Sequence, residues 1–399
     1  MFMINIPARY AHCVHPYPVR HRHKVPFRPR VSVPPSLGER ASHIIALDRR
    51  LDRFVLTEPD YFRLVQEAVT SNLHISTQLE GNPLSLEQVK RLTRDSLQGR
   101  TPTSIEPAQR EILNHLAVWF MPGELRIPWG LSSLQQVHAS LMTGVDPGAM
   151  PGQLRSKPGA VYSDKGEELF ITAPPEHIQT ELEGLIDWVN RESQAMWPTV
   201  AAAVFFHEFE SIHPFEEGNG RTGRVLFHAY LQNSGLANAY RCRVEAELIR
   251  DPELYYLILG WTDYSDSYTE LVDYFTEALH RSYLNAVTVY RKKDVTRKLD
   301  ETELELVRMA KDAPSWFTLK DAAKFVPERS EQTIRNRLNE LAEMQVLHSI
   351  GNTRARRYRF ADPLADVRAR MRREREAVPT QRSPAAIPSS GRRQSFNRT

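Results

Sequence analysis

One stretch of twelve residues carries side chains that could do chemistry together: His213-Pro214-Phe215-Glu216-Glu217-Gly218-Asn219-Gly220-Arg221-Thr222-Gly223-Arg224. Gly218 and Gly220 let the backbone turn where side chains would clash, and they leave N–H groups aimed at one point. A helix is predicted to begin there, so its positive end faces the same spot. That is an anion site, and phosphate is the anion it suits best. Arg221 and Arg224 add two guanidinium forks matched to phosphate oxygens. Glu217 offers a hard carboxylate of the kind that holds Mg²⁺ beside phosphates. His213 closes the preceding helix and is the only base in the segment that works near neutral pH; it could take a proton from an attacking hydroxyl. Singly, a His or Glu in a loop is usually surface decoration, and Gly-x-Gly is usually a turn. Arginines at a helix start oppose the dipole, so two of them beside two glycines point to a task other than stability.

The elements that must hold this stretch are helical almost throughout. Strongly apolar helices are predicted on either side of it, over 199–212 and 221–232, the second closed by Gly235. Upstream, Phe62, Val65, Ala68, Val69 and Leu73 mark a helix over 61–79, which Gly81-Asn82-Pro83 stops. Ser85 and Gln88 form a capping-box pattern for the next helix. Further helices are predicted over 109–120 and 134–142. Two short apolar runs, 160–162 and 169–171, flank Asp164-Lys165-Gly166 and read as a hairpin. Pro174-Pro175 then starts another helix, and 253–262 and 268–286 extend the helical body.

The motif resembles, at every defining position, the signature of the Fic-domain family, His-Pro-Phe-x-(Asp/Glu)-Gly-Asn-Gly-Arg-x-x-Arg. The likeness takes in the hairpin, the Pro-Pro helix and the helix before the motif. It implies an all-α fold, a Fic-type helical bundle with a small β-hairpin flap, and AMP transfer from ATP to a hydroxyl of a protein target. By that resemblance His213 would be the catalytic base, and Glu217 would hold Mg²⁺ (or Mn²⁺) between the α- and β-phosphates. Gly218, Asn219, Gly220, Arg221, Thr222, Gly223 and Arg224 would bind the phosphates, with Arg224 at the γ position and Phe215 anchoring the loop. The hairpin would be a flap on which a target segment aligns as an added strand. Tyr256, second of the pair Tyr255-Tyr256, would touch adenine, and Asp263 stands where the family often carries asparagine. Ser76-Thr77-Gln78-Leu79-Glu80-Gly81 matches the family's inhibitory pattern, (Ser/Thr)-x-x-x-Glu-(Gly/Asn). Glu80 would make a bidentate pair with Arg224 in place of the ATP γ-phosphate, and Ser76 would hold that glutamate near Asn219. The resemblance leaves open removal of AMP, or transfer of another nucleotide.

Residues 300–361 read as a winged helix-turn-helix. Its third helix opens at Ser330, with Ile334, Leu338 and Leu341 at helical spacing. The opposite face carries Gln332, Thr333, Arg335 and Asn336, side chains able to reach base edges or phosphates in a major groove. Arg354, Arg356, Arg357 and Arg359 give the wing a basic edge. DNA is therefore a candidate partner, a homodimer would fit two half-sites, and a DNA-binding regulator whose body senses nucleotide is the rival reading.

Composition bounds the rest. Of 399 residues, 41% are apolar and 25% charged, ordinary globular values. No uncharged run approaches the ~20 residues of a membrane span, so no membrane partner is expected. Two cysteines, Cys13 and Cys242, cannot make a disulfide framework. No secretory leader is evident, and a cytoplasmic protein is expected. The net charge of +3 hides an asymmetry, because residues 1–38 and 363–399 each carry +6 and leave the middle at −9. The expected organisation is a disordered basic tail (1–34), an N-terminal helical segment with the inhibitory helix (35–104), a catalytic core (105–286), a connector (287–299), the winged helix (300–361) and a second disordered basic tail (362–399).

Overall fold

A computed structural model describes residues 6–376, apart from 101–103, 121–124, 147, 149, 163–165, 314 and 353–354. The chain runs β1 (Val19–Arg20), α1 (Pro35–Arg53), α2 (Glu58–Gln78), α3 (Leu86–Leu97), α4 (Pro107–Trp119) and α5 (Leu131–Met142). The hairpin strands β2 (Ala160–Tyr162) and β3 (Glu168–Ile171) follow, then α6 (Pro175–Arg191), α7 (Pro198–Ile212) and α8 (Asn219–Asn233). Next come α9 (Val244–Leu248), α10 (Pro252–Ser265) and α11 (Thr269–Lys293). The C-terminal part holds α12 (Glu301–Asp312), β4 (Phe317–Thr318), α13 (Leu319–Phe325), α14 (Glu331–Glu343), β5 (Leu347–Ile350), β6 (Arg357–Phe360) and α15 (Pro363–Glu376).

A helix that is apolar on every face must be covered on every face, and α7 and α8 are the centre of the body for that reason. In α7 only Pro198 and Glu210 escape burial. α7 and α8 pack on each other, α6 and α11 close over α7, and α2 and α5 close over α8. Phe206, Phe227 and Phe275 interlock at ring separations of 5.5–5.9 Å, and burying each such ring contributes about 1.5–3 kcal/mol. The predicted capping box of α3 forms, with Ser85 and Gln88 each serving the other's backbone N–H. Among the described residues no helix is long and apolar enough to cross a membrane.

Both ends depart from expectation. The reading of residues 1–34 as a solvated tail is corrected over 6–34, where Tyr10, Cys13, Val19 and Phe27 are buried. Phe27 packs edge-on against Trp188 at 5.4 Å, and β1 pairs parallel with β3, giving the sheet order β1-β3-β2. Acids of the body meet this segment: Lys24 Nζ lies 3.0 Å from Glu208 Oε2, and the rings of His21 and His23 both hydrogen-bond Glu181. Residues 1–5 lie outside the described residues.

The reading of 362–399 is corrected for its first part. Leu364 and Val367 of α15 pack with Val65, Val69, Leu73 and Leu97, and Arg370 donates to the Ser96 carbonyl at 2.6 Å. Residues 377–399 lie outside the described residues. The boundary expected at 286 falls inside α11, which continues to Lys293 because Val287 and Tyr290 still find buried contacts.

Beyond α11 a second core gathers α12, α13 and α14 against a sheet of order β4-β6-β5. It takes in Val55 from the segment before α2. Lys311 Nζ donates to the carbonyl oxygens of Asp52 and Phe54 at 2.6 and 3.0 Å, and the Glu58 N–H donates to Gln345 O at 2.8 Å.

Candidate active site

α7 stops because His213 adopts a left-handed conformation, φ 52° and ψ 63°, which few side chains take up. The chain turns back, and Phe215 enters the core, fully buried. The His138 ring stacks on it at 3.7 Å, nearly parallel. His138 Nδ1 accepts the Gly152 N–H at 2.8 Å, so its Nε2–H donates to Glu217 O at 2.8 Å. Burial pushes its pKa down to about 4, so it remains a neutral wedge under the loop.

Asn219 closes the turn. Its Oδ1 accepts the Phe215 N–H at 2.9 Å and its Nδ2 donates to Phe215 O at 2.8 Å. The amide expected at the phosphate thus also shapes the loop, through its oxygen and one of its two N–H donors. Gly218 is the N-cap of α8 with φ 81°, a conformation that suits glycine. α8 begins at Asn219 rather than 221, so the N–H groups of Asn219, Gly220 and Arg221 have no intrahelical partner. Together with the positive helix end they form the anticipated anion nest. Thr222 does not reach it, since its hydroxyl donates to Gly218 O at 2.8 Å.

The arginines are held by acids. Arg221 Nη1 lies 2.6 Å from Glu111 Oε1, and Glu111 Oε2 accepts from Asn82 at 2.7 Å. Arg224 Nη2 donates to Glu80 Oε1 at 2.8 Å and to Ser76 O at 2.7 Å, while Nε donates to Ser76 Oγ at 2.7 Å. The Arg224–Glu80 pair is therefore single rather than bidentate. Ser76 steadies the arginine, not the glutamate, because its hydroxyl and carbonyl oxygens accept from Nε and Nη2. Burial would raise the Glu80 pKa, but Arg224 and then Arg221 overcome it and the net shift is downward. A Cβ at Gly220 would collide with Glu80 Oε1, so this carboxylate rests on the first turn of α8, in the anion nest.

His213 Nδ1 lies 3.3 Å from Glu210 O, which makes Nδ1–H the donor and leaves the Nε2 lone pair free for a proton. Burial pushes its pKa down to about 4, so the imidazole is neutral at pH 7. Glu217 is exposed; partial desolvation raises its pKa, Arg221 opposes this, and Glu80, Asp146 and Glu216 add to it. Tyr255 is buried and Tyr256 is 41% exposed on the same helix. Asp263 is taken up by Ser211, at 2.8 Å, and by His207, at 3.1 Å.

Four residues of the site carry no motif. Arg155 is buried, and its guanidinium donates to His213 O and Lys157 O at 2.6 Å, to Ile212 O at 3.1 Å, and to Ala173 O. It ties the motif turn to both ends of the hairpin. His138 and Glu210 gave no signal either. Glu111 did: a carboxylate beside Ile112, His115 and Leu116, on the apolar side of a helix, needs a buried partner.

The residues proposed for DNA, Gln332, Thr333, Arg335 and Asn336, are exposed on α14, which packs on α12, α13 and β5, away from the motif. Arg356 turns inward to Asn339 at 2.9 Å, and Arg354 lies outside the described residues.

Residues 128–231 match the family model described as the Fic/DOC family. "Protein adenylyltransferase fic-1" of Caenorhabditis briggsae is 27% identical over 185 residues, 43% of this chain and 34% of that protein. "Protein adenylyltransferase Fic" of Nematostella vectensis is 23% identical over 261 residues, 60% and 56% of the respective chains. The chain thus spans about a third to just over half the length of these curated relatives. The crystal structure of a Fic family protein from Desulfovibrio desulfuricans G20 covers 84% of this chain and 98% of its own, with a TM-score of 0.55 at 22% identity. That likeness is one of fold.

Proposed function

We propose that this chain is a protein adenylyltransferase, which moves AMP from ATP to a Tyr, Thr or Ser hydroxyl of a target protein or of itself. The observation that carries the reading is a neutral His213 with its Nδ1–H on Glu210 O, close in sequence to a helix start whose first N–H groups have no intrahelical partner and to the cationic Arg224. His213 Nε2 takes the proton of the target hydroxyl. The hydroxyl oxygen bonds to the α-phosphorus, the bond to the β-phosphate oxygen breaks, and pyrophosphate leaves. The amides of α8's first turn hold the phosphate oxygens, and Arg221 and Arg224 neutralise the outer ones.

Glu217 fits a divalent ion, Mg²⁺ or Mn²⁺: it is an exposed carboxylate with a raised pKa next to Glu216 and Asp146. Among the described residues no group of three or more His, Cys, Asp or Glu could hold a metal, so phosphate oxygens and water would complete its shell. When bound, the ion would neutralise charge on the phosphates. The outer edge of β2, with Tyr162 exposed, would take an added strand, and Tyr256, exposed on α10, would touch the base.

The test is transfer of label from α-labelled ATP. In a Glu80→Gly background, His213→Ala should lower labelling by about 10²–10⁴-fold and leave ATP binding intact. No labelling of the chain or of any lysate protein by Glu80→Gly, with Mg²⁺ or Mn²⁺ supplied, would sink the proposal.

A second reading is favoured by one connection. The module carrying the exposed α14 face, read here as a winged helix-turn-helix, holds the first turn of α2 through Gln345 O and through His348, 3.1 Å from Glu58. The far end of α2 leads to Glu80. On this reading DNA bound by a homodimer and nucleotide bound at the motif are linked through α2. Arg335→Ala should weaken retention of DNA fragments by about 1–3 kcal/mol; unchanged retention at low salt speaks against it.

A further inference from the structure

The hairpin proposed to align the acceptor is small: β2 has three residues and β3 has four. A two-stranded ribbon of that size is marginal in water. A third strand completes it. β1 pairs parallel with β3, Val19 opposite Phe170 and Arg20 opposite Ile171, and the His21 N–H donates to Ile171 O at 2.8 Å. The edge of β3 is thereby covered, and the outer edge of β2 is left for an added strand.

His21 then reaches inward, its side chain only 2% exposed. Nδ1 lies 2.7 Å from Ser211 Oγ in the last turn of α7, and Nε2 is hydrogen-bonded to Glu181 on α6. Ser211 stands two residues before His213, and its hydroxyl donates to Asp263 Oδ1 on α10 at 2.8 Å. One residue thus joins the hairpin through its main chain and the end of α7 through its ring. The residues after it hold the same bodies: Arg22 Nη2 donates to Tyr264 O, and Lys24 Nζ donates to Glu208 Oε2 at 3.0 Å and to Tyr268 OH at 2.9 Å. Arg155 does not replace this hold, because its hairpin partners, the carbonyl oxygens of Lys157 and Ala173, lie outside both strands.

We propose that residues 19–24 are a strap that sets the hairpin's distance from His213, and that His21, acting through Ser211, is the positioning residue that fixes it. The strap governs where the acceptor hydroxyl stands and leaves ATP binding alone. This rests on the reading that AMP passes to a segment aligned on the hairpin. The attacking oxygen has to come within about 3–3.5 Å of the α-phosphorus, and a two-stranded ribbon rocking about its base would carry the acceptor out of that range.

The experiment uses the full chain in the Glu80→Gly background and adds His21→Ala, Ser211→Ala, or both. Transfer of label from α-labelled ATP gives kcat and KM for ATP, and calorimetry gives MgATP affinity. Hydrogen exchange follows the amides of β3 and of the first turn of α8. His21→Ala should lower kcat about 10²-fold with KM for ATP and MgATP affinity unchanged. Exchange in β3 should speed up about tenfold, and the first turn of α8 should not move. Ser211→Ala removes a single hydroxyl and decides the matter if His21→Ala fails to fold; it should repeat the loss of kcat. The combined variant should be no slower than His21→Ala, since the two residues form one contact. An unchanged kcat in Ser211→Ala overturns the proposal, as do additive losses or a weakened MgATP affinity. So does a fall in melting temperature with kcat and β3 exchange unmoved, which would mark a merely structural histidine. A Glu80→Gly parent that labels nothing overturns the transfer reading and this proposal with it, whereas a labelling parent matched by His21→Ala overturns this proposal alone.

Discussion

Replacing Glu80 with glycine is expected to raise self-labelling with ATP about 10²-fold over wild type. Glu80 Oε1 lies 2.8 Å from Arg224 Nη2 and rests on Gly220 at the first turn of α8, so it fills the anion nest and occupies the arginine at once. ATP entering beside it would have to seat its outer phosphates elsewhere, which would turn its α-phosphate away from the line of attack proposed for His213. A small misplacement of a reacting group costs about this factor. Loss of a charge-assisted hydrogen bond worth about 1.5–3 kcal/mol is of the same size. Adding Arg224→Ala should abolish the gain, because no cation then waits for the outer phosphates. Labelling is followed across ATP concentrations in the wild type, the single variant and the double variant. Equal rates for wild type and Glu80→Gly would remove the inhibitory role from Glu80 and leave the role proposed for His213 untouched.

Arg155→Met is expected to be the most damaging single change outside the motif. The buried guanidinium serves four carbonyl oxygens, of His213, Ile212, Lys157 and Ala173, and methionine fills much of the volume but donates nothing. Each buried carbonyl left unpaired costs about 1–3 kcal/mol, so the total loss should reach at least ~3 kcal/mol in urea unfolding. Transfer should fall about 10²-fold, because His213 loses the tether on its own carbonyl. Arg155→Lys should rescue little, since one ammonium cannot span four acceptors arranged around a planar fork. Full stability in Arg155→Met would show that the turn is held by Phe215 and His138 alone.

The connector and the two tails show where reading along the chain stops working. Residues 6–34 carry an excess of cations and no helical or alternating period, which is how a solvated tail reads. Yet Tyr10, Cys13 and Phe27 are buried one at a time in hollows built by α6, α10 and α11. An extended segment that packs through isolated anchors leaves no periodicity to detect. The same holds for Leu364 and Val367, whose partners on α2 lie some three hundred residues away.

What the amino-acid sequence determined by itself is local: the helices, their caps and stops, and the succession of base, carboxylate, glycines and arginines from His213 to Arg224. These follow from spacing within a few residues, where backbone geometry alone decides which groups meet. What only the tertiary structure decided is which partner each polar group finds. Asn219 belongs to the loop, Ser76 to Arg224, Glu111 to Arg221, and Arg155 to four carbonyl groups. Those pairings join residues up to 148 positions apart. A buried donor or charge must be matched by whatever the packing of helices brings within ~3 Å, and that distance is set by the core, not by the order of residues along the chain.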